Sequence, residues 1–110
     1  MMITVEDFDK VEMRVGTVIE AEINKKARTP AYKLRINFGG ELGVKPSSAQ
    51  ITALYTPEEL VGKQVVCCVN LEPMRIGLVK SEGRILGSES AQGVVLLRLT
   101  EKVADGDRIF

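Results

Sequence analysis

Apolar and polar side chains alternate along two stretches in the first half of the chain. Within residues 13–23, the apolar-rich set comprises Met13, Val15, Thr17, Ile19, Ala21 and Ile23. Within residues 32–38, the corresponding set comprises Tyr32, Leu34, Ile36 and Phe38. Because successive side chains of a strand point to opposite faces, both patterns predict a strand with one buried face. Gly16, on the other side of the first strand, predicts a bend or bulge of the kind that barrels need.

The second strand is expected to turn back at Gly39-Gly40, which is a typical hairpin sequence. After this turn, Leu42 and Val44 continue the buried face and Lys45 faces outward. Shorter apolar runs predict three more strands, at residues 64–69, 84–87 and 94–99. The first of these three runs is apolar almost throughout, so we expect it to be covered on both sides.

The chain also carries signals for short helices. Thr4 predicts the cap of a helix that ends at Asp9, with Val5 and Phe8 on the face that would close one end of the core. Ser47 or Ser48 predicts the cap of a second helix, through residues 49–54. The start of a third helix is predicted at Thr56-Pro57 and its end at Gly62.

These elements predict an all-β fold. Several short antiparallel strands, a glycine-bent first strand and a helix between strands three and four are typical of a five-stranded Greek-key barrel of the OB-fold type. A short N-terminal helix and a C-terminal hairpin extension complete the prediction, and a β-sandwich is the alternative. Residues 1–110 have the length of a single domain.

Composition excludes several kinds of chemistry. The chain has no histidine, which removes the usual general base and most zinc sites. The two cysteines, Cys67 and Cys68, are adjacent in a strand, so we expect one to fill the core and the other to be a partly covered free thiol. We therefore expect a binding protein rather than an enzyme, with no cofactor and no metal.

The chain has no apolar run near the roughly 20 residues that span a bilayer, and its acidic start is unlike a signal peptide. From these features we expect a soluble, cytoplasmic protein.

Charge is unevenly distributed along a chain whose formal net charge is zero. Residues 23–50 carry six Lys or Arg side chains and one Glu, and residues 73–84 carry three and one. In an OB barrel these segments form the ligand surface, which is the face of strands two and three with the loops that follow strands one and four. The nine cations are Lys25, Lys26, Arg28, Lys33, Arg35, Lys45, Arg75, Lys80 and Arg84. They predict a polyanion-binding surface, and the alternative is a solvated face without a ligand.

Residues 70–87 form a long interruption between two predicted strands, and we expect this loop to be part of the working surface. Its apolar residues Met74, Ile76, Leu78 and Val79 are candidate contacts for a polypeptide. Exposed aromatic side chains for stacking on single-stranded bases are scarce, because Tyr32 and Phe38 are predicted to face inward. A structured RNA or a protein partner therefore fits the surface better than single-stranded nucleic acid.

Several spaced blocks resemble the tRNA-binding domain family. They are residues 13–18, 47–51, 55–65, 70–73 and the Ser81-Glu82-Gly83 element. Within this family, residues 27–34 and 45–52 are similar to the CsaA branch, which consists of stand-alone homodimers linked to protein export as chaperones. The resemblance implies an OB-fold dimer and places RNA contacts at Ser81, Glu82 and Gly83, with Arg75 in the same loop. Met74 and Leu78 replace a basic residue and a glycine that are common in RNA-binding members.

The leading hypothesis is an ATP-independent, CsaA-like chaperone that binds unfolded or signal-bearing polypeptides for export. The alternative is a protein that binds structured tRNA. The expected partners are a second copy of the chain, preproteins, possible export machinery and, in the alternative, tRNA, with no insertion into a membrane.

Overall fold

The computed structural model describes all of residues 1–110. In chain order, the elements are α1 (Val5–Asp9), β1 (Met13–Ile23), β2 (Tyr32–Asn37), β3 (Val44–Ala49), α2 (Pro57–Leu60), β4 (Gln64–Cys68), β5 (Met74–Ile76), β6 (Val79–Ser81), β7 (Arg84–Ile85), β8 (Gly87–Ser90), β9 (Gly93–Leu96) and β10 (Arg108–Ile109).

The main sheet is antiparallel and has the strand order β3-β2-β1-β4-β7, and β10 pairs with the start of β1. Its two ends meet where residues 81–83 run beside β3. There the Glu82 amide donates to the Pro46 carbonyl at 2.9 Å, and the Ser47 hydroxyl donates to the Gly83 carbonyl at 2.5 Å. This seam nearly closes the sheet into a barrel, which confirms the predicted OB-like fold over the sandwich alternative.

The core lies inside the barrel. The inward side chains of β2 are buried as predicted, and they pack with residues of β1, β4 and α2 such as Val18, Val65 and Leu60. Gly16 is buried and faces the side chains of Ile36 and Phe38, and an added Cβ would lie 2.6 Å from Ile36 Cγ2 and 2.8 Å from ring atoms of Phe38. A larger residue at this position would therefore force these packed side chains to move.

The buried face predicted for β1 is correct only in part. The register with β2 shifts between Val18 and Glu20, so that Ile19 is the extra residue of a bulge. Because the bulge shifts the alternation, Val18 before it and Ala21 after it both pack into the core, whereas Ile19 is exposed. Ile23 pairs with the buried Tyr32 but lies at the end of the strand, where it is exposed. The predicted irregularity exists, but it lies three residues beyond Gly16.

Helix α1 forms as predicted, with a capping box between Thr4 and Asp7. The role predicted for its apolar side chains is wrong, because α1 lies outside the barrel and buries no residue. Val5 is 72% exposed and Phe8 is also exposed.

The helix predicted over residues 49–54 is absent, because β3 continues to Ala49 along its full ladder with β2. Ser47 is fully buried in this strand, where its hydroxyl helps to close the barrel instead of capping a helix. The phase of β3 also differs from the prediction: Val44 is exposed, and Lys45 lies on the side of Ser47 and is partly buried. Helix α2 starts at Pro57 with Thr56 as its cap, as predicted.

The C-terminal part contains more hairpins than predicted. Residues 74–81, expected to be irregular, form the β5–β6 hairpin. The predicted fifth strand is divided into β7 and β8, and β8 pairs with β9 as the hairpin extension. Cys67 and Cys68 are both buried and free, so neither is the partly covered thiol that was expected. The structure contains no helix with the length and apolar character needed to cross a membrane.

Candidate binding surface

Two connections lie side by side at one end of the barrel: residues 24–31, here called the β1–β2 loop, and the β5–β6 hairpin, residues 74–81. The side-chain amide of Asn24 donates to the Ile76 carbonyl at 3.0 Å. At the hairpin turn, an added Cβ on Gly77 would lie 2.8 Å from the carbonyl carbon of Lys26. The two loops that the charge pattern singled out are therefore in direct contact.

The hairpin is tight because Gly77 occupies the left-handed region, with φ +62°. The turn places Leu78 at the tip, where its side chain is 75% exposed. In the ladder, Arg75 lies directly opposite Lys80, and both are exposed. Like charges in this position repel each other, so the hairpin presents a concentrated positive charge.

The four candidate peptide contacts are not equally accessible. Met74 is 65% exposed and Leu78 is fully at the surface, whereas Ile76 is partly buried. Val79 is only 5% exposed and packs beneath the hairpin, so a polypeptide cannot reach most of its side chain. The accessible apolar surface of the hairpin is therefore formed mainly by Met74 and Leu78.

Leu78 lines an open groove between the hairpin, the end of β1 and α2, with a volume of about 550 Å³. Ile23, the last residue of β1, lines the same groove; it pairs with the buried Tyr32 but is itself 63% exposed. The charged residues around these apolar groups are Glu22, Lys25, Lys26, Lys33 and Glu58. The alternation along residues 13–23 could not reveal Ile23 as a surface residue, since the pattern shows which face a side chain lies on but not where the covered part of the strand ends.

Ion pairs divide the nine cations into two groups. Lys33 pairs with Glu22 at 3.2 Å, Arg35 with Glu20 at 3.5 Å, and Lys45 with Glu82 at 3.9 Å. The other six are exposed and form no ion pair within the chain: Lys25, Lys26, Arg28, Arg75, Lys80 and Arg84. Uncompensated positive charge is therefore found on the two loops and beside the hairpin, and not on the predicted face of strands two and three.

The Ser-Glu-Gly element contributes to the barrel seam. The Ser81 hydroxyl accepts a hydrogen bond from the Ser48 amide at 3.1 Å, and the Gly83 carbonyl accepts from Ser47. Ser81 and Glu82 are partly exposed and Gly83 is buried, and the Glu82 carboxylate lies near Lys45. The three residues predicted to contact RNA thus also hold β3 in place, and this role was not predicted.

The cysteines are outside this surface and are poorly suited to chemistry. Burial, and the neighbouring Cys68, raise the pKa of the Cys67 thiol to about 12. The thiol therefore stays protonated near neutral pH, and a protonated thiol is a weak nucleophile. No group of three or more Cys, Asp or Glu side chains is arranged to hold a metal ion.

Comparisons with known proteins agree with this architecture. A family model described as a putative tRNA binding domain matches residues 13–108. The methionine–tRNA ligases of Archaeoglobus fulgidus and Bacillus subtilis are each 40% identical over 107 residues. These matches cover 97% of this chain but only 16% of each ligase.

Two solved structures of similar length match from end to end. The CsaA chaperone protein of Picrophilus torridus has a TM-score of 0.93 at 43% identity, covering 99% of this chain and 100% of that one. The chaperone CsaA of Bacillus anthracis has a TM-score of 0.92 at 47% identity over the whole of both chains.

A third solved structure, the MetRS related protein of Pyrococcus horikoshii, has a TM-score of 0.87 at 33% identity, covering 100% of this chain and 99% of that one. The barrel, the paired loops and these matches lead to one conclusion: the chain belongs to the tRNA-binding domain family and shares its whole fold with CsaA chaperones.

Proposed function

We propose that this protein is a CsaA-like chaperone that binds unfolded or signal-bearing polypeptides without ATP and without catalysing a reaction. The observation that carries the proposal is the end-to-end match to two CsaA chaperones at 43% and 47% identity. The ligases, by comparison, contain this fold as a small part of a much longer chain. As part of the same proposal, the protein acts in the cytoplasm and delivers its substrates to the export machinery.

The chemistry of the hairpin supports this proposal. Met74 and Leu78 are flexible, exposed apolar side chains, and such side chains can adapt to many different sequences. Ile23 adds a third apolar group in the groove beside Leu78. Together they provide an apolar contact for segments that are exposed only while a protein is unfolded.

The test is a titration of a fluorescently labelled, unfolded presecretory protein against the wild-type chain and the Met74→Asp/Leu78→Asp variant. We expect the double substitution to weaken binding about tenfold or more, because it places two charges where apolar surface is buried. Val95→Asp is the matched control, since Val95 is exposed on the separate β8–β9 hairpin. No binding by the wild type, or equal binding by the double variant, would contradict the proposal.

The second candidate function is binding of structured tRNA, as the family match suggests. The specific observation in its favour is the group of unpaired cations on the β1–β2 loop and the hairpin. Lys25, Lys26, Arg75 and Lys80 can neutralise phosphates without first breaking an ion pair. Binding of this kind weakens steeply as salt is added, whereas apolar contacts with a polypeptide do not.

Self-association is also part of the proposal. Helix α1 buries no residue, and a helix of five residues is not stable alone in water. Val5, Phe8 and the C-terminal Phe110 leave large apolar groups exposed near the chain ends. A second copy of the chain that covers these groups would explain why such residues remain at the surface.

A further inference from the structure

Asn24 is a buried polar residue at the junction of the two loops. It is 6% exposed, although it lies at the start of a connection that is otherwise mostly at the surface. Its side-chain amide donates two hydrogen bonds, to the Ile76 carbonyl at 3.0 Å and to the Ser48 hydroxyl at 3.1 Å. One side chain therefore connects the β1–β2 loop to the hairpin and to β3.

The main chain of Asn24 is held as well. Its amide donates to the Ala31 carbonyl at 3.0 Å, and its carbonyl accepts from the Ala27 amide at 3.2 Å. The residue is thus anchored within its own loop, so its side chain can act as a fixed point for the hairpin. A buried polar group that loses its partner is costly, so the Asn24 side chain and the Ile76 carbonyl stabilise each other's positions.

On the hairpin side, Gly77 allows the turn to lie close to Asn24 and Lys26 of the β1–β2 loop. An added Cβ at Gly77 would lie 2.9 Å from the Asn24 side-chain oxygen and 2.8 Å from the Lys26 carbonyl carbon. The hairpin turn can approach the loop this closely only because it has no side chain at this position.

We propose that Asn24 is a positioning residue: it fixes the hairpin against the β1–β2 loop, so that Leu78 and the cations of both loops form one preformed binding surface. This inference rests on the proposed function for its binding consequence, but the positioning itself can be measured without a ligand. A preformed surface binds more tightly because less conformational freedom is lost when the ligand arrives.

The decisive variant is Asn24→Asp. Aspartate has almost the same shape and keeps one side-chain oxygen of Asn24. Its second oxygen replaces the amide nitrogen and cannot donate to the Ile76 carbonyl, so a negative charge would face that carbonyl oxygen. The matched control is Asn37→Asp. The side-chain oxygen of Asn37 accepts from the Gly39 amide at 2.8 Å, and aspartate retains that acceptor while introducing the same charge.

The first measurement is amide hydrogen exchange of the unliganded protein. In Asn24→Asp, we expect exchange in residues 74–81 to increase about tenfold while β1 and β2 change little. In Asn37→Asp, the hairpin should exchange as in the wild type. An unchanged hairpin in Asn24→Asp, or an increase spread evenly over the barrel, would overturn the proposal.

The second measurement separates positioning from a general structural role. In the wild-type background, Leu78→Asp should weaken binding of unfolded presecretory protein about tenfold, but in the Asn24→Asp background by no more than about threefold. Equal losses in the two backgrounds would overturn the binding part of the proposal. If the wild type binds no polypeptide, the proposed function fails, while hydrogen exchange still decides whether Asn24 positions the hairpin.

If Asn24→Asp does not fold, Asn24→Ala provides the same test without a buried charge. It removes the amide that donates to Ile76 and Ser48, so exchange should again increase in the hairpin and not in the barrel. A hairpin that exchanges at the wild-type rate in Asn24→Ala would overturn the proposal equally.

Discussion

Gly16 and Gly83 both lie beside the Phe38 ring, and they differ in the space that is left for a side chain. An added Cβ would lie 2.8 Å from the ring at Gly16 but 3.7 Å from it at Gly83, and neither residue has a positive φ. The first distance is a clash with a buried ring, whereas the second is an ordinary contact. Because neither backbone favours glycine, replacing each of these two residues with alanine tests the effect of side-chain space alone.

We expect Gly16→Ala to lower the free energy of unfolding by about 1–3 kcal/mol, because Phe38 and Ile36 must move away from their packed positions. Gly83→Ala is the control and should change stability much less. Urea denaturation followed by circular dichroism measures both variants. Similar losses in the two variants would mean that space beside Phe38 does not explain Gly16.

At the scale of elements, the strands and turns could be predicted because their signals are local. Alternation revealed β1 and β2, and Thr56-Pro57 revealed α2. The errors arose where a long-range contact decided the outcome. Ser47 resembles a helix cap, but pairing with Gly83 across the barrel keeps it in a strand. The bulge at Ile19 is set by the register with β2, so the exposure of Ile19 could not be inferred from periodicity.

For the candidate surface too, features with a local sequence signal could be predicted, and features set by long-range contacts could not. The positions of the cations along the chain predicted which loops are positive, because an OB barrel places these loops together. The ion pairs that neutralise Lys33 and Arg35 depend on their neighbours across the β1–β2 ladder. Asn24 is not among the residues that the sequence predicts for the surface, since nothing in its sequence context indicates that its side chain is buried between two loops.

Cations without an ion pair should contribute more to tRNA binding than cations that are already paired with a carboxylate. Lys26→Gln and Lys80→Gln should each weaken tRNA binding at low salt by about three- to tenfold and lower the salt dependence by about one unit of slope. Lys33→Gln is the matched control, and its effect should be smaller because Glu22 already compensates the charge of Lys33. Filter binding at several salt concentrations measures all three. Equal effects, or binding that does not depend on salt, would argue against tRNA as a ligand of these loops.

At the scale of the whole molecule, the open question is what covers α1. We expect light scattering coupled to gel filtration to give twice the chain mass of 12.1 kDa for the wild type. Val5→Glu/Phe8→Glu should shift the protein toward the monomer, because it introduces two charges into an apolar contact. Leu54→Glu, an exposed leucine in the turn before α2, is the control. A wild-type monomer at micromolar concentration would exclude the proposed dimer.

The seam between β3 and residues 81–83 has a consequence for the motions of the barrel. Strands β2 and β3 share a ladder of six paired residues, whereas the seam depends on a few bonds, two of which involve serine side chains. Local opening of a fold begins where few contacts must break, so the barrel should open at this seam before the β2–β3 ladder separates. Residues 82 and 83 follow directly from the β5–β6 hairpin, so a ligand that holds the hairpin also restrains this seam of the barrel.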